Sequence, residues 1–236
     1  MKSLLFAVVL ILFSHAMAQN LNQEVWLESG ISYQPIKRWT VNAELNQRYN
    51  QYGLATIFPQ FSVKYKLTKW LRPSMDYRWI SSREFLEPYQ SSHRLNANLQ
   101  GAYSIQRLDL GLRLRYQYSF NRINGNYDVE FDQAWRIKPS IQYNINDFPL
   151  SPSFSAEFFY DPTNHAKGKQ FTRIRYYAGF DFDIQRVHKF SFGSYLDQWV
   201  NTVPRTRLMY SLGYSFAIEP AKAKDKTKKG KDIRSL

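Results

Sequence analysis

The side chains best suited to chemistry in this chain are arginines that recur at every second position of alternating segments. From Leu108 to Phe120, apolar residues alternate with polar ones that include Arg113 and Arg115. Successive side chains of a β-strand point to opposite faces, so this period of two predicts that both guanidinium groups share one face. A guanidinium fork binds carboxylates and phosphates, and this face could therefore pair with acids or attract anions.

The same alternation in the other segments predicts an enclosed basic face. We expect seven arginines to line it: Arg78, Arg94, Arg113, Arg115, Arg136, Arg173 and Arg175. Further basic residues fall on it: Arg48, Lys64, Lys66, Arg72, Lys138, Lys189 and Arg207. Its acids are Glu28, Glu44, Asp76, Asp109, Asp132, Glu157, Asp181 and Asp183. One interpretation is an ion-pair network that fills a narrow barrel. The other is a narrow pore or pocket that prefers anions, because basic groups outnumber acids.

A serine beside a histidine is the second pattern that could do chemistry. Ser91 and Ser92 precede His93, and by alternation Ser91 and His93 would face lipid near a rim. Such a pair could act on acyl chains as a lipid-modifying hydrolase, although ordinary polar contacts of a rim histidine explain it more simply. No phosphate-binding glycine loop or metal-ligand spacing appears. We therefore expect no enzyme activity, no metal site and no cofactor.

The segments that must position these residues read as long β-strands. Eleven segments of about ten to fourteen residues show the period-two pattern, whereas strands of soluble proteins usually have about five or six residues. A tilted strand needs about nine to eleven residues to cross a bilayer. The pattern predicts an all-β fold: an antiparallel transmembrane β-barrel of about ten to twelve strands, with short periplasmic turns and longer external loops.

The strand count and the positions of the prolines add details to this prediction. Bacterial barrels have even strand numbers, so eleven segments suggest that Asn20–Tyr33 hides a second strand or that one segment lies outside the wall. Loops are expected at Asn50–Thr56 and Asp197–Thr206, and a turn at Gln185–Arg186. Four prolines within segments each remove a donor from a β-ladder. They are Pro59, Pro73, Pro139 and Pro152.

Both ends of the chain differ from the strand region. Residues 1–18 have a basic Lys2, the apolar run LLFAVVLILF and an Ala-Met-Ala cleavage site, which predict a cleaved secretory signal peptide. Residues 19–220 would form the barrel. Residues 221–236 contain seven basic residues and two aspartates, and this lysine-rich tail is expected to be disordered. It could bind anionic lipid head groups weakly.

Composition narrows the class of protein further. The chain has 236 residues, no cysteine and a formal net charge of +13, which excludes disulfides and cysteine catalysis. Aromatic residues make up 17%, yet the mean hydropathy is −0.51. That combination fits a barrel with an aromatic girdle and a polar interior. It also fits a soluble all-β domain.

The sequence resembles the family known as domain of unknown function 2490, a group of uncharacterised Gram-negative outer-membrane barrels. The resemblance is carried by EVWLESGISYQPIKRWTVNAELNQRYN, HRLNANLQGAY, RIRYYAGFDFDI and RLMYSLGYSF. It implies a barrel in the bacterial outer membrane and assigns no activity or functional residue. The lysine-rich tail after Ile218 departs from the family's usual ending near a terminal aromatic residue.

These observations predict an outer-membrane barrel that has a structural role or lets small solutes pass, with a preference for anions. The expected partners are the lipid bilayer, the barrel assembly machinery and anionic small solutes, and not nucleic acid, because the protein is exported. Two alternatives remain. One is the lipid-modifying hydrolase, and the other is a soluble periplasmic barrel that binds a ligand.

Overall fold

The structure is a computed structural model that describes residues 22–83, 85, 87–122, 131–146, 148–164, 168–184, 187–201 and 205–218. Within these residues the chain forms eleven β-strands. They are β1 Asn22–Tyr33, β2 Trp39–Asn50, β3 Gly53–Tyr65, β4 Leu71–Ser82, β5 Gln90–Ile105, β6 Leu108–Arg122, β7 Phe131–Tyr143, β8 Leu150–Asp161, β9 Gln170–Ile184, β10 His188–Trp199 and β11 Thr206–Ile218. The predicted signal peptide, the lysine-rich tail and the turn at Gln185–Arg186 lie outside the described residues.

The strands close into one barrel, as the alternation predicts. Each strand pairs antiparallel with the next, and β1 pairs with β11 in parallel, from Asn22 beside Arg207 to Tyr33 beside Ile218. The expectation of a hidden strand or of a segment outside the wall is wrong. When an odd number of strands runs up and down, the first and last point the same way, so they can close the barrel only in parallel. The antiparallel prediction holds for every other pair.

The connections meet at two ends of the barrel. At the turn end they span residues 34–38, 66–70, 106–107, 144–149 and 185–187. At the loop end they span residues 51–52, 83–89, 123–130, 162–169 and 200–205. Four of the loop-end connections have six to eight residues. The predicted loop at Asn50–Thr56 is wrong, because Gly53 has a φ of 93° and starts β3 after a two-residue connection.

The prolines interrupt pairing without ending strands. Opposite Pro59 the register of β3 with β4 skips from Ile57–Ser81 to Gln60–Arg78. Near Pro139 the register of β7 with β8 skips from Ile137–Phe158 to Ser140–Ser155. A proline has no N–H to donate, so each interruption falls on the side where that donor would have pointed.

The outward face of the wall is apolar. Large side chains such as Phe61, Leu95, Leu112 and Leu212 are between 44% and 56% exposed on it. At the turn end the rings of Trp39 and Tyr65 pack against each other at a tilt of 46° with their centroids 4.8 Å apart, and Trp70 is 57% exposed. Hydrocarbon chains are the environment that such a surface fits, and a closed ladder satisfies the backbone groups that lipid cannot. Among the described residues no helix is long and apolar enough to cross a membrane.

The enclosed face is polar, which inverts the usual arrangement of a globular core. Thirteen described polar or charged residues are buried, against five hydrophobic ones. Asn96 is 2% exposed, Glu157 is 3% exposed and Asp197 is completely buried. The interior of this barrel is therefore held by hydrogen bonds and ion pairs, whose geometry decides what the lumen can admit.

The two-faced wall predicts a depth-dependent cost for a charge on the outside. Leu114 lies at the middle of β6 and Tyr103 lies near the turn end of β5, and both face outward. Leu114→Arg should lower the free energy of unfolding in lipid vesicles by about 2–4 kcal/mol, and Tyr103→Arg by about 1 kcal/mol or less. Urea titration of the folded protein measures both. Equal effects of the two variants would contradict the assigned faces.

Candidate functional site

Two large cavities of the lumen are separated by a layer of side chains. The loop-end cavity has a volume of about 1010 Å³, and the turn-end cavity has about 510 Å³. They share no lining residue. The enclosed face between them carries what we call the central layer. Its arginines are Arg48, Arg78, Arg94, Arg113, Arg115, Arg136, Arg173 and Arg175, its acids are Asp76, Glu157 and Asp197, and its aromatic residues are Trp26, Phe58 and Phe159.

Asp197 on β10 is the acid with the most arginine partners. Its Oδ1 accepts a hydrogen bond from Arg175 Nε at 2.6 Å, and its Oδ2 accepts one from Arg175 Nη2 at 2.8 Å. Arg207 Nη2 donates to Oδ2 at 2.9 Å, and Arg173 Nη1 lies 3.6 Å from it. Arg207 Nη1 also donates to Glu24 on β1 at 2.9 Å. This cluster joins β9, β10, β11 and β1 across the parallel seam.

The prediction of a loop that begins at Asp197 is wrong. In the structure β10 continues to Trp199, and Asp197 is an enclosed residue of the strand. The signal was present in the sequence, because the inward positions Ser191, Gly193 and Tyr195 continue with the same period to Asp197. The polar residues that follow Leu196 obscured it.

Glu157 on β8 binds two of the predicted arginines. Arg136 donates to it through Nε at 3.0 Å and through Nη2 at 2.8 Å, which is a bidentate pair. Arg113 Nη2 donates to Glu157 Oε1 at 2.7 Å. Arg136 Nη1 also reaches Gln117 Oε1 at 3.2 Å. Both oxygens of this buried carboxylate are therefore occupied.

Asp76 on β4 is held mainly by amides. Asn96 Nδ2 and Asn98 Nδ2 each donate to one of its oxygens at 2.6 Å. The nearest cations are more distant, with Arg115 Nη2 at 3.5 Å and Arg78 Nε at 3.8 Å. Arg115 Nε donates to Asn98 Oδ1. Asp76 therefore compensates the charge of these two arginines only loosely.

Of the seven sequence-predicted arginines, six lie in these three clusters. Arg94 forms a different contact, since its Nε donates to Ser119 Oγ at 2.8 Å. The structure thus brings the seven residues to neighbouring positions on the enclosed face.

Guanidinium groups of the central layer lie over inward-facing aromatic rings. The sequence did not predict these contacts. The guanidinium carbons of Arg173 and Arg136 lie 3.9 Å and 4.4 Å from the ring centroid of Phe159. Those of Arg48 and Arg175 lie 4.1 Å and 4.9 Å from the ring centroid of Trp26. A cation over an aromatic face is stabilised by the ring quadrupole. The alternation places Trp26 on the enclosed face, but its sequence position alone assigns no role to the ring.

The proposed Ser–His pair does not form. His93 faces outward, its Nδ1 hydrogen bonds to Tyr77 Oη at 2.8 Å, and its ring stacks with Tyr77 and Phe120. In the described part of the chain no hydrogen bond joins His93 to Ser91 or Ser92. The same part contains no group of three or more His, Asp or Glu that could hold a metal ion.

Comparison with known proteins places the chain in a family. The model of the family described as "Protein of unknown function (DUF2490)" matches residues 23–223. The chain belongs to this family. A solved structure entitled "NanC porin structure in rhombohedral crystal form" matches with a TM-score of 0.51 and 14% sequence identity, covering 84% of this chain and 100% of that one. No curated protein matches. At this identity the likeness shows the fold.

The Asp197 cluster predicts a strongly destabilising substitution. Asp197→Asn keeps the size of the side chain but leaves Arg173 and Arg175 without their anion and Arg207 with Glu24 alone. Loss of one partner from a buried ion pair costs about 3–5 kcal/mol. We expect the free energy of unfolding in lipid vesicles to fall by that amount.

Asp181→Asn is the matched control, because Asp181 pairs at 3.4 Å with Lys189, whose side chain is 46% exposed. Its effect should stay below about 1 kcal/mol. If both variants lowered the free energy of unfolding by similar amounts, the Asp197 cluster would stabilise the barrel no more than an exposed ion pair does.

Proposed function

We propose that this family member is an outer-membrane channel through which small anionic solutes pass, with the central layer as the selective part of the path. The apolar outward face supports a position in the membrane, and the fold shared with a protein entitled a porin supports a channel. The predicted signal peptide at residues 1–18 supports export. On this proposal the partners are the lipid bilayer, the barrel assembly machinery and anionic solutes.

The observation that carries the proposal is the charge of the central layer. Arginines exceed acids by eight to five there, even when Glu28 and Glu44 of β1 and β2 are counted with the three acids of the central layer. Every oxygen of Asp76, Glu157 and Asp197 accepts a hydrogen bond from within the protein. The acids therefore have little capacity left to attract a mobile cation, whereas the layer keeps a positive excess. A ring of arginines favours anions in a pore.

The magnitude of this effect is sufficient for selectivity. One uncompensated charge acting on a unit charge about 5 Å away contributes about 3 kcal/mol at an effective dielectric constant of about 20. That energy corresponds to an enrichment of about a hundredfold for a monovalent anion over a neutral solute at the same position. Screening by salt in the water-filled lumen reduces it, so we expect a preference of about tenfold at physiological ionic strength.

Planar-bilayer recording tests the proposal. The wild-type protein should give single-channel steps, and in a potassium chloride gradient the reversal potential should have the sign of chloride permeation. Arg78→Gln should lower the anion preference, because the ion pair of Arg78 with Asp76 is loose. Lys37→Gln, in the exposed connection between β1 and β2, is the charge-matched control and should leave the preference unchanged.

The outcomes separate passage from a purely structural barrel. If the wild type gives no steps, the ion pairs simply fill the lumen and the channel proposal fails. Steps with a cation preference would retain the channel and remove the role given to the arginines.

Localisation has its own test. After cell fractionation the chain should be found with the outer membrane, shortened by the length of residues 1–18. It should migrate faster in gels without boiling than after boiling, because a closed barrel resists detergent at room temperature. Recovery as a soluble periplasmic protein would favour the binding-protein alternative.

A further inference from the structure

Arg48 is a central-layer arginine that forms no ion pair with a described acid. It lies on the enclosed face of β2, directly beside Trp26 of β1 in the register. Its guanidinium carbon is 4.1 Å from the ring centroid of Trp26 and 5.0 Å from that of Phe58. The two aromatic rings therefore fix the position of this cation inside the lumen.

In the part of the chain that the structure describes, Arg48 forms no ion pair. Among the described residues no carboxylate lies within ion-pairing distance of Arg48, and none of its nitrogens has a hydrogen-bond acceptor. The acids of β1 are Glu24 and Glu28, each two residues from Trp26. Glu24 accepts a hydrogen bond from Trp26 Nε1 at 2.8 Å, and Glu28 borders a small cavity of about 50 Å³ together with Arg48, but neither forms an ion pair with Arg48. Arg175, by contrast, donates hydrogen bonds to both oxygens of Asp197.

Two more cations lie close to Arg48. The guanidinium carbon of Arg175 is 4.9 Å from the ring centroid of Trp26, and that of Arg78 is 5.2 Å from the ring centroid of Phe58. Arg78 Nε is buried and has no hydrogen-bond acceptor. Arg48 and Arg78 thus share one aromatic ring, and each has N–H groups that the protein does not use.

Uncompensated charges in an enclosed site are costly, and a bound anion removes that cost. The chemistry selects the kind of anion. A guanidinium that stacks on an aromatic face keeps its N–H donors free at the edge, where they form a planar fork. Such a fork matches the two oxygens of a carboxylate or phosphate and does not match a spherical halide.

We propose that Arg48 and Arg78, beside Phe58, form a binding site for an oxyanion, either a carboxylate or a phosphate. The site lies on the path that the proposed function requires and so deepens it, but binding does not itself require passage. It names the solute class as compact molecules with an exposed carboxylate or phosphate. Trp26 and Phe58 act as positioning residues that hold the fork open to the lumen.

Binding to the full folded chain in detergent tests the site. The probes are inorganic phosphate and formate, each compared with chloride at equal ionic strength and followed by isothermal titration and by thermal unfolding. The wild type should bind at least one oxyanion saturably and unfold at a higher temperature in its presence. Chloride should produce no saturable effect. Binding of phosphate alone, or of formate alone, would identify which oxyanion the site accepts.

Three variants locate the site. Arg48→Lys keeps the charge and loses the fork, so the affinity for the oxyanion should fall at least tenfold. Arg48→Gln should abolish binding. Arg72→Gln removes a charge that borders the turn-end cavity and should bind as the wild type does. Because Arg48 has no acid partner, its variants should fold, which the shift in gel mobility on boiling verifies.

The results separate this inference from the proposed function. Wild-type binding that persists in Arg48→Gln, or equal effects of phosphate and chloride on the wild type, would overturn the site. Oxyanion binding that depends on Arg48 in a protein without conductance would keep the site and overturn the channel. Anion-selective conductance without such binding would do the reverse.

Discussion

Closure of the barrel depends on one parallel pair of strands, and the Asp197 cluster supports that pair from inside. Arg207 on β11 links Asp197 on β10 to Glu24 on β1, a contact across 183 positions of the chain. Trp26 on β1 packs against Tyr195 on β10 at 5.3 Å between ring centroids. In hydrocarbon, an open seam would leave two rows of backbone groups unpaired, so every other feature of the lumen requires this closure.

The enclosed face resolves an excess of positive charge in two ways. Arg136 on Glu157 and Arg175 on Asp197 form bidentate pairs, which satisfy both partners and stabilise the wall. The guanidinium of Arg48 forms no ion pair with a described acid and lies over Trp26, which leaves its N–H donors unused by the protein. The proposed selectivity depends on arginines such as Arg48 and Arg78, whose charge is compensated weakly or not at all.

The outward face constrains the wall in the opposite sense. Leucine, phenylalanine and tyrosine side chains remain exposed along all the strands, since lipid rather than protein is their proposed environment. His93 illustrates the consequence, because at the rim its ring stacks on Tyr77 and Phe120 and its nitrogen is satisfied by Tyr77. A histidine so engaged contributes to packing, and the neighbouring serines are left out of its contacts.

The sequence by itself determined the strands and their two faces, because both follow from a local period of two that each segment carries independently. It identified Arg113, Arg136 and the other arginines as enclosed residues for the same reason. Only the tertiary structure decided how eleven strands close, which arginine meets which acid, and that Arg48 meets none. These contacts join residues far apart in the chain, and their register depends on every strand in between. A local pattern within one strand therefore cannot predict which residues meet across the barrel.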